Sequence, residues 1–537
     1  MVYMRDERFL MGIDLGTTTC KVAIFTIEGE LIAIAGKEYP TYYPRPGWAE
    51  QDSWDWWSVT VGTIREVLGK SKINPDDIAG ISVSSHREAV VLLDENDRPL
   101  DRVIIWFDKR SLPQTEWIKK NFDNWEIYKK TGLRIDPTFT ATKLLWIKEN
   151  KSELLKKAKV ALQPKDFLIF KLTGEKTTDY SVASRTLLFD ISKREWALDL
   201  FEDFGLPPEI FPELKWSDEI VGYVTSEAAA ETGLKAGTPV AGGGGDRQCE
   251  ILGSGITSSN KVEESTGTGS TTATVIDSLT FDPKMRVVYA CHVLKGMWSL
   301  EAGIATAGAI LRWYRDQFAT GEKLLAEMTR RRAYEFLDME AEYVPPGSNG
   351  LIVIPFFAGS RAPRWNPYAR GLIFGLTVYH TRAHVFRALM EGIAYEIRKV
   401  LEVLEELGIK TGEIRALGGG GKTPTWARIK ADVTGKRVII PEILDAAVVG
   451  DVILAGLSTK IYNDVNSAVE KLVKIKAVIE PDKKNHQLYN KYYGIYEDLI
   501  NTVERFYEDI VAITDYPRRE IPWDISKLIH LLFKLEK

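Results

Sequence analysis

Apolar residues near the N-terminus follow the pattern of paired strands. The run FLMGIDLG, residues 9–16, is apolar up to an acid and a glycine, which is typical of a buried strand. Residues 20–39 contain two apolar runs around Glu28-Gly29 and predict a β-hairpin. A helix is expected from about Ser53, and IAGISVSSH, residues 78–86, predicts another buried strand. The pattern therefore indicates an α/β fold.

The same order of elements returns after residue 260. Residues 261–277 and 297–304 are strand-like, and residues 305–318 predict a helix. Further along, residues 384–407 have apolar positions at helical spacing and a face of Glu, Lys and Arg, which predicts a long amphipathic helix. The stretch EIRALGGGG, residues 413–421, is a predicted strand that leads into a glycine loop. The repetition indicates two similar halves.

We therefore predict two α/β domains joined near residues 253–260. The N-terminal domain is expected over residues 1–255 and the C-terminal domain over residues 256–460. The segment over residues 461–537 is rich in Lys, Tyr and Glu, and we expect a helical extension that wraps the second half instead of forming a third core.

Composition narrows the class of protein. The chain has 537 residues, of which 45% are hydrophobic and 27% charged, as in ordinary globular proteins. The net charge of −5 gives no reason to expect nucleic acid or an anionic membrane as a partner. There is no run of roughly 20 apolar residues and no signal-peptide core. Three widely spaced cysteines fit a reducing compartment, and we expect a cytoplasmic protein.

The first glycine loop, GIDLGTTTCK, follows the first predicted strand. Gly16 and the small hydroxyl residues Thr17 and Thr18 let backbone N–H groups approach an anion, and Lys21 could neutralise its charge. Asp14 could hold Mg²⁺ through water. We interpret this loop as a phosphate site. An ordinary hairpin turn is the alternative, because the Walker pattern GxxxxGK is absent.

Two further glycine loops lie in the second half. The loop STGTGSTTA contains Gly267 and Thr268, and ALGGGGKTP contains Gly419 and Gly420. Backbone without side chains can lie against phosphate, ribose or adenine. Each loop alone is a weak signal, but loops facing each other across a cleft would clamp one nucleotide, and we include Gly308 of the second half in this site.

In the stretch VAGGGGDRQCEILG, four glycines are followed directly by one acid, Asp246. A carboxylate within hydrogen-bond reach of a hydroxyl can accept its proton during phosphoryl transfer. The alternative is a turn acid that caps the following helix.

In their order and spacing these motifs resemble the FGGY family of carbohydrate kinases. The stretch GLIFGLTVYHTRAHVFRALME, residues 371–391, is similar to the C-terminal signature of that family, and the resemblance covers about residues 8–460. It implies two actin-like, ribonuclease H-like domains with ATP between them, Mg²⁺ as a second cofactor, and Asp246 as the general base.

The resemblance also suggests a sugar pocket. Arg87 and Glu88 follow a predicted strand and can bind vicinal hydroxyls, as the Arg-Glu pair does in glycerol kinases, whereas xylulokinases usually have Met-His there. Trp106 resembles a glycerol kinase Trp that packs on substrate carbons. Thr138 stands where glycerol kinases have Tyr, and Arg247 where they have Gln. The smaller Thr138 leaves room for a longer polyol or ketose.

The main hypothesis is an ATP-dependent kinase acting on a terminal hydroxyl of a small sugar or polyol, for example a ketopentose such as xylulose. A glycerol kinase and an autoinducer-type kinase are the alternatives within the family. An actin- or heat-shock-like ATPase without sugar kinase activity and an inactive kinase-like regulator are the alternatives outside it. The presence of Asp14, Asp246 and the Arg87-Glu88 pair disfavours both. We expect a small-molecule substrate, no nucleic acid or membrane partner, and a homodimer.

Overall fold

The computed structural model describes residues 8–514, so residues 1–7 and 515–537 lie outside the described part. The described residues form two seven-stranded sheets with helices packed on them. The last part of the predicted extension, residues 515–537, therefore falls outside the described residues.

The strands cluster in the two halves in chain order. Those of the first half are β1 Phe9–Leu15, β2 Thr19–Thr26, β3 Leu31–Glu38, β4 Glu50–Gln51, β5 Ile78–Ser85, β6 Val91–Leu93, β7 Val103–Ile104, β8 Val160–Leu162, β9 Thr177–Asp179, β10 Phe189–Asp190, β11 Glu195–Trp196, β12 Glu213–Lys215, β13 Ile220–Tyr223, β14 Pro239–Ala241 and β15 Gly244–Gly245. Those that follow are β16 Lys261–Thr266, β17 Ser270–Ile276, β18 Val288–Cys291, β19 Trp298–Ile304, β20 Ile352–Ile354, β21 Leu372–Phe374, β22 Glu413–Leu417, β23 Arg437–Pro441 and β24 Ile475–Ile479.

The α-helices alternate with these strands. They are α1 Ser53–Ser71, α2 Leu112–Asn121, α3 Asn124–Thr131, α4 Thr140–Asn150, α5 Ser152–Lys157, α6 Pro164–Thr173, α7 Tyr180–Ala183, α8 Leu198–Phe204, α9 Ser226–Thr232, α10 Asp246–Gly253, α11 Gly308–Phe318, α12 Thr320–Thr329, α13 Ala333–Glu342, α14 Arg382–Glu406, α15 Gly418–Gly421, α16 Pro424–Thr434, α17 Ala446–Ser458, α18 Val465–Leu472, α19 Lys483–Val503 and α20 Tyr507–Thr514. Among these helices of the described chain, none has the length and apolar character needed to cross a membrane.

Both sheets repeat one arrangement, as the sequence pattern predicts. The first has the order β13-β14-β5-β1-β2-β3, and β15 also pairs with β5. The second has the order β18-β19-β17-β16-β22-β23-β24. In each, a three-stranded antiparallel meander continues into two parallel strands, which are β5 and β14 in the first sheet and β22 and β23 in the second.

Strand β1 is covered on both faces, which explains its near-continuous apolar sequence. Met11, Ile13 and Leu15 pack in the cluster that includes helix α1, whereas Leu10 packs in the cluster with helix α17. Gly12 lies under α17, because a Cβ there would stand 2.4 Å from the carbonyl oxygen of Val448. The alternation is the period of two expected for a strand.

The expectation for the C-terminal extension is partly wrong. Helix α18 packs on the first half, where the Tyr462 hydroxyl donates to the Ile27 carbonyl and Lys471 pairs with Glu28. Beyond it, the segment is not all helical, because β24 joins the edge of the second sheet before α19 packs on the second half. The apolar residues of α18 pack against α17, in a cluster that also contains residues of β2, and sequence periodicity does not identify that contact.

Helices α10 and α17 cross in backbone contact. A Cβ at Gly253 would stand 1.9 Å from the Ala446 carbonyl oxygen, and one at Gly450 would stand 2.0 Å from the Cys249 carbonyl oxygen. Helix α10 then leads through residues 254–260 into β16, where the predicted division between the domains falls. That division stays a prediction.

We predict that Gly450→Ala destabilises the protein by about 1–3 kcal/mol, because the methyl group has no space between the two helices. The matched control is Gly69→Ala in helix α1, where nothing lies within 4 Å of the added Cβ. The control should stabilise by about 0.5–1 kcal/mol through helix propensity. Thermal and urea unfolding of both variants measures the difference, and equal stability of the two would contradict the close packing.

Candidate functional site

The predicted site residues of the first half meet at one edge of the first sheet. Strands β1 and β15 are both parallel to β5, so their carboxyl ends lie side by side. Asp14 pairs in register with Ser84, and Gly245 with Ser85. Arg87 follows β5 and Asp246 follows β15. In open α/β sheets ligands bind outside the carboxyl ends of the strands.

The four glycines before Asp246 serve close backbone packing. Gly243 has a φ of 65°, and a Cβ there would stand 2.0 Å from the carbonyl oxygen of Val83 in β5. A Cβ at Gly245 would stand 2.5 Å from Cδ of Arg87. The glycines thus let the chain pass β5 and let the stem of Arg87 lie against it.

Asp246 is the first residue of helix α10, and Gly245, not the acid, occupies the N-cap position. The alternative in which Asp246 caps the following helix as its N-cap residue is therefore wrong. Burial raises the pKa of Asp246, and the charges of Arg87 and Arg247 oppose that shift. Arg87 Nε lies 3.4 Å from Asp246 Oδ1. A half-buried carboxylate with a raised pKa is a suitable proton acceptor for a hydroxyl.

A cavity of about 230 Å³ adjoins Asp246. It is lined by all the residues predicted for the sugar, which are Arg87, Glu88, Trp106, Thr138, Asp246 and Arg247. We call it the sugar cavity. It also has walls that sequence reasoning missed, above all Asp136, Arg185, Glu301, Arg361 and Trp365.

Ion pairs organise the charged wall of the sugar cavity. Glu88 has a φ of 66° and is buried, and Arg185 Nε donates to its carboxylate over 2.6 Å. Arg87 is paired with Glu301 of β19 over 2.7 Å. A non-glycine residue held at positive φ costs free energy that surrounding contacts must offset, and such residues gather at functional sites.

Thr138 donates hydrogen bonds to a neighbouring residue of the cavity wall. Its backbone N–H donates to Asp136 Oδ1 over 2.9 Å, and its hydroxyl donates to the same oxygen. Burial alone would raise the pKa of Asp136, but these hydrogen bonds lower it. Asp136 therefore offers a carboxylate to the cavity. It lies two residues before Thr138, which the sequence analysis singled out.

Two of the missed residues share one signal. Arg185 and Glu301 are charged residues inside apolar stretches, and both are buried. Buried charges need partners, so a lone charge in a strand-like run indicates a distant counter-charge. The sequence does not identify the residue that carries this counter-charge.

A second cavity, of about 510 Å³, is lined by Gly267, Thr268, Gly308 and Gly419 from the predicted nucleotide loops. Gly308 begins helix α11 against the Gly267 carbonyl oxygen, 2.3 Å from where its Cβ would be. That contact explains why α11 starts three residues later than the predicted helix. Gly420 does not line the cavity, because it packs on Thr266, where a Cβ would stand 2.7 Å from the hydroxyl.

The first loop lies between the two halves. The Thr17 hydroxyl accepts from Trp106 Nε1 over 3.0 Å and lines the sugar cavity, whereas Thr18 beside Gly16 is exposed. Lys21 Nζ forms an ion pair with Asp445 over 2.6 Å, just before helix α17. Lys21 is thus shared with a carboxylate 424 positions away, a contact that the sequence did not predict.

Asp14 fits a hard cation. Burial and the nearby charge of Asp246 raise its pKa to about 7. The Ser84 hydroxyl lies 3.2 Å from Asp14 Oδ1 and 2.7 Å from Asp451 Oδ2, so two buried carboxylates share one hydroxyl. No group of three or more His, Cys, Asp or Glu side chains within residues 8–514 could hold a metal alone. Mg²⁺ fits such a site, because it commonly binds one or two carboxylates, with water and substrate phosphates completing its shell.

The comparisons with known proteins identify the family. The model of the N-terminal domain of the FGGY family of carbohydrate kinases matches residues 9–253, and that of the C-terminal domain matches residues 264–459. The xylulose kinase of Bacillus subtilis (strain 168) is 32% identical over 92% of this chain and 96% of its own length. A glycerol kinase of Thermococcus gammatolerans is 34% identical over 91% of this chain and 96% of its own length.

Solved structures of carbohydrate kinases have the same fold as this chain. A xylulose kinase from Rhodospirillum rubrum superposes with a TM-score of 0.84 at 28% identity and covers 93% of this chain and 100% of its own. Plasmodium falciparum glycerol kinase with ADP has a TM-score of 0.81 at 26% identity and covers 92% of this chain and 98% of its own. The predicted fold class, α/β with two actin-like domains, is confirmed.

We predict that Asp246→Asn lowers the turnover number on the order of 100-fold or more, because the amide keeps the shape but cannot accept the proton. Binding of ATP and sugar should persist. Steady-state kinetics with calorimetric binding measures both.

The matched control is Asp190→Asn, whose buried carboxylate accepts from the backbone of Ser192 and Lys193 outside both cavities. Its turnover should stay within about threefold of wild type. If Asp246→Asn also stayed within about threefold, Asp246 would not be the base.

Proposed function

The chain belongs to the FGGY family of carbohydrate kinases and is an ATP-dependent sugar or polyol kinase, and we propose that its acceptor is a ketopentose such as xylulose or a related polyol. The observation that carries the proposal is the sugar cavity. There Asp246 stands beside Arg87, and Glu88 and the small Thr138 line the same cavity.

In this proposal the sugar lies against Trp106, and its hydroxyls bind the charged wall. Asp246 accepts the proton of the terminal hydroxyl as that oxygen attacks the terminal phosphate of ATP. The remaining work is positioning and charge neutralisation. The loop with Gly267 and Thr268 supports the phosphates from the second half, across the cleft from Thr17.

Asp14 would hold Mg²⁺, directly or through water, at the edge of the first sheet. A divalent ion held there would supply positive charge that offsets the negative charge building up during transfer. The chain's own contribution is to keep the carboxylate of Asp14 buried at the end of β1, between Ser84 and the first loop.

The choice of acceptor rests on the size and polarity of the sugar cavity. Its volume of about 230 Å³ lies below the usual range for drug-sized ligands, which suits a small substrate. Asp136, Glu88 and Arg247 line it with more charged groups than a three-carbon polyol needs. A longer, more hydroxylated acceptor would use them.

Glycerol is the second candidate. The Arg87-Glu88 pair and Trp106 resemble glycerol kinases, and the similarity to the glycerol kinase of Thermococcus gammatolerans, at 34% identity, is no weaker than that to the xylulose kinase. The departures at Thr138 and Arg247 favour the longer acceptor.

The test is a panel of polyols and ketoses of three to six carbons, assayed by ADP release at equal concentrations. We expect kcat/KM for a five-carbon acceptor to exceed that for glycerol by about tenfold or more. A higher value for glycerol would favour the second candidate. Lack of turnover with every acceptor of the panel would contradict the proposal.

We further predict that Thr138→Tyr lowers kcat/KM for five-carbon acceptors by about tenfold or more, because the ring fills the cavity, and affects glycerol less. Thr138→Ser keeps the hydroxyl that bonds Asp136 and is the matched control. An equal loss for both acceptor lengths would show that Thr138 does not set acceptor size.

A further inference from the structure

Glu301 reaches the sugar cavity from the second half of the molecule. It lies in the middle of β19, in register with Ala273 of β17 and Val288 of β18, and its side chain is buried. Arg87, by contrast, follows β5 of the first half. The contact between Glu301 and Arg87 therefore joins the two sheets inside the cavity.

The carboxylate of Glu301 is held by several donors. Arg87 Nη1 donates to Oε1 over 2.7 Å, and Nη2 donates to Oε2 over 3.2 Å. Gln248 Nε2 adds a hydrogen bond of 3.0 Å, and Arg185 Nη1 lies 3.8 Å away. Although burial opposes ionisation, these guanidinium groups lower the pKa of Glu301 to about 2. The pair has the two-pronged geometry that gives guanidinium–carboxylate contacts their direction.

The guanidinium of Arg87 has two other carboxylates within reach. Its Nε lies 3.4 Å from Asp246 and 3.9 Å from Glu88. The stem of Arg87 is held against Gly245, so the head group is the part that can turn. A guanidinium that lost one carboxylate partner would form the same two-pronged pair with the next, because such pairs stabilise buried charge.

We infer that Glu301 is a positioning residue for phosphoryl transfer. By holding two N–H groups of Arg87, it keeps the guanidinium from closing on Asp246, so the base stays available to the acceptor hydroxyl. The inference rests on the proposed function in one respect, namely that the acceptor occupies the sugar cavity. The second half thus contributes to the state of the base as well as to nucleotide binding.

The experiment is Glu301→Gln, alone and combined with Arg87→Ala. The single variant should lower the turnover number by about 10- to 100-fold, because Arg87 closes on Asp246. At saturating acceptor, the double variant should then turn over about tenfold faster than Glu301→Gln alone, since no guanidinium blocks the base. The KM for ATP should stay within about twofold in both variants.

A purely structural role for Glu301 gives a different pattern, because the double variant would then be no faster than Glu301→Gln. That result would overturn the inference, as would a turnover number for Glu301→Gln within about threefold of wild type. Glu301→Asp keeps the charge and should retain more activity than the glutamine variant. Glu391→Gln is the matched control, since Glu391 is a buried partner of Arg387 outside both cavities and its loss should leave turnover unchanged.

A crystal structure of the Glu301→Gln variant, with no acceptor bound, tests the inference directly. Two guanidinium nitrogens of Arg87 should lie within hydrogen-bond distance of the Asp246 carboxylate. A guanidinium that keeps its present position would overturn the inference. If wild type turned over no sugar or polyol, the proposed function would fail while this structure still gave its answer.

Discussion

Helix α10 connects the chemistry of the cleft to the packing of the two halves. Its first residue is the proposed base, Asp246, and its last, Gly253, lies in backbone contact with helix α17. Helix α17 in turn packs on β1 and β5, whose ends contribute Asp14 and Arg87. Because no side chain fits between the helices at Gly253 and Gly450, their separation is fixed by backbone contact. That contact fixes helix α10, which begins with Asp246, relative to the first sheet.

The centre of the cleft is acidic and largely buried, and this condition explains its basic residues. Asp14, Asp246 and Asp451 all have raised pKa values, chiefly because they are buried. A polyphosphate brought to such a centre adds negative charge. Lys21 and Arg87 offset part of it, and a bound divalent cation would offset more. Both cations are already paired with carboxylates of other segments, so their positions depend on the fold around them.

The sequence predicts the features whose signals are local. The buried strand β1, the hairpin at Glu28-Gly29 and the first two glycine loops are each encoded within a few residues, and the structure has them, whereas the predicted loop at Gly418–Gly421 is wrong because these glycines form the short helix α15. Repetition of that local pattern was sufficient to predict two similar sheets. The resemblance of the loops to one family then identified the kinase class.

What the sequence did not predict depends on distant contacts. The partner of Lys21 is Asp445, and helix α18 packs in a cluster with the first sheet although the preceding strands belong to the second. In the sequence, Glu301 is a single acid within a predicted strand. Its pairing with Arg87 is evident only when the fold brings β19 and β5 together. Such pairings are set by how the sheets face each other, which no periodicity reports.

The most direct measurement is a crystal structure with a five-carbon acceptor and a non-hydrolysable ATP analogue. The account predicts that the terminal hydroxyl lies about 2.6–3.2 Å from the Asp246 carboxylate. It also places the terminal phosphorus about 3–3.5 Å from that hydroxyl, with the phosphates on the loop at Gly267 and Thr268. An acceptor bound outside the sugar cavity, or a terminal hydroxyl turned away from Asp246, would contradict it.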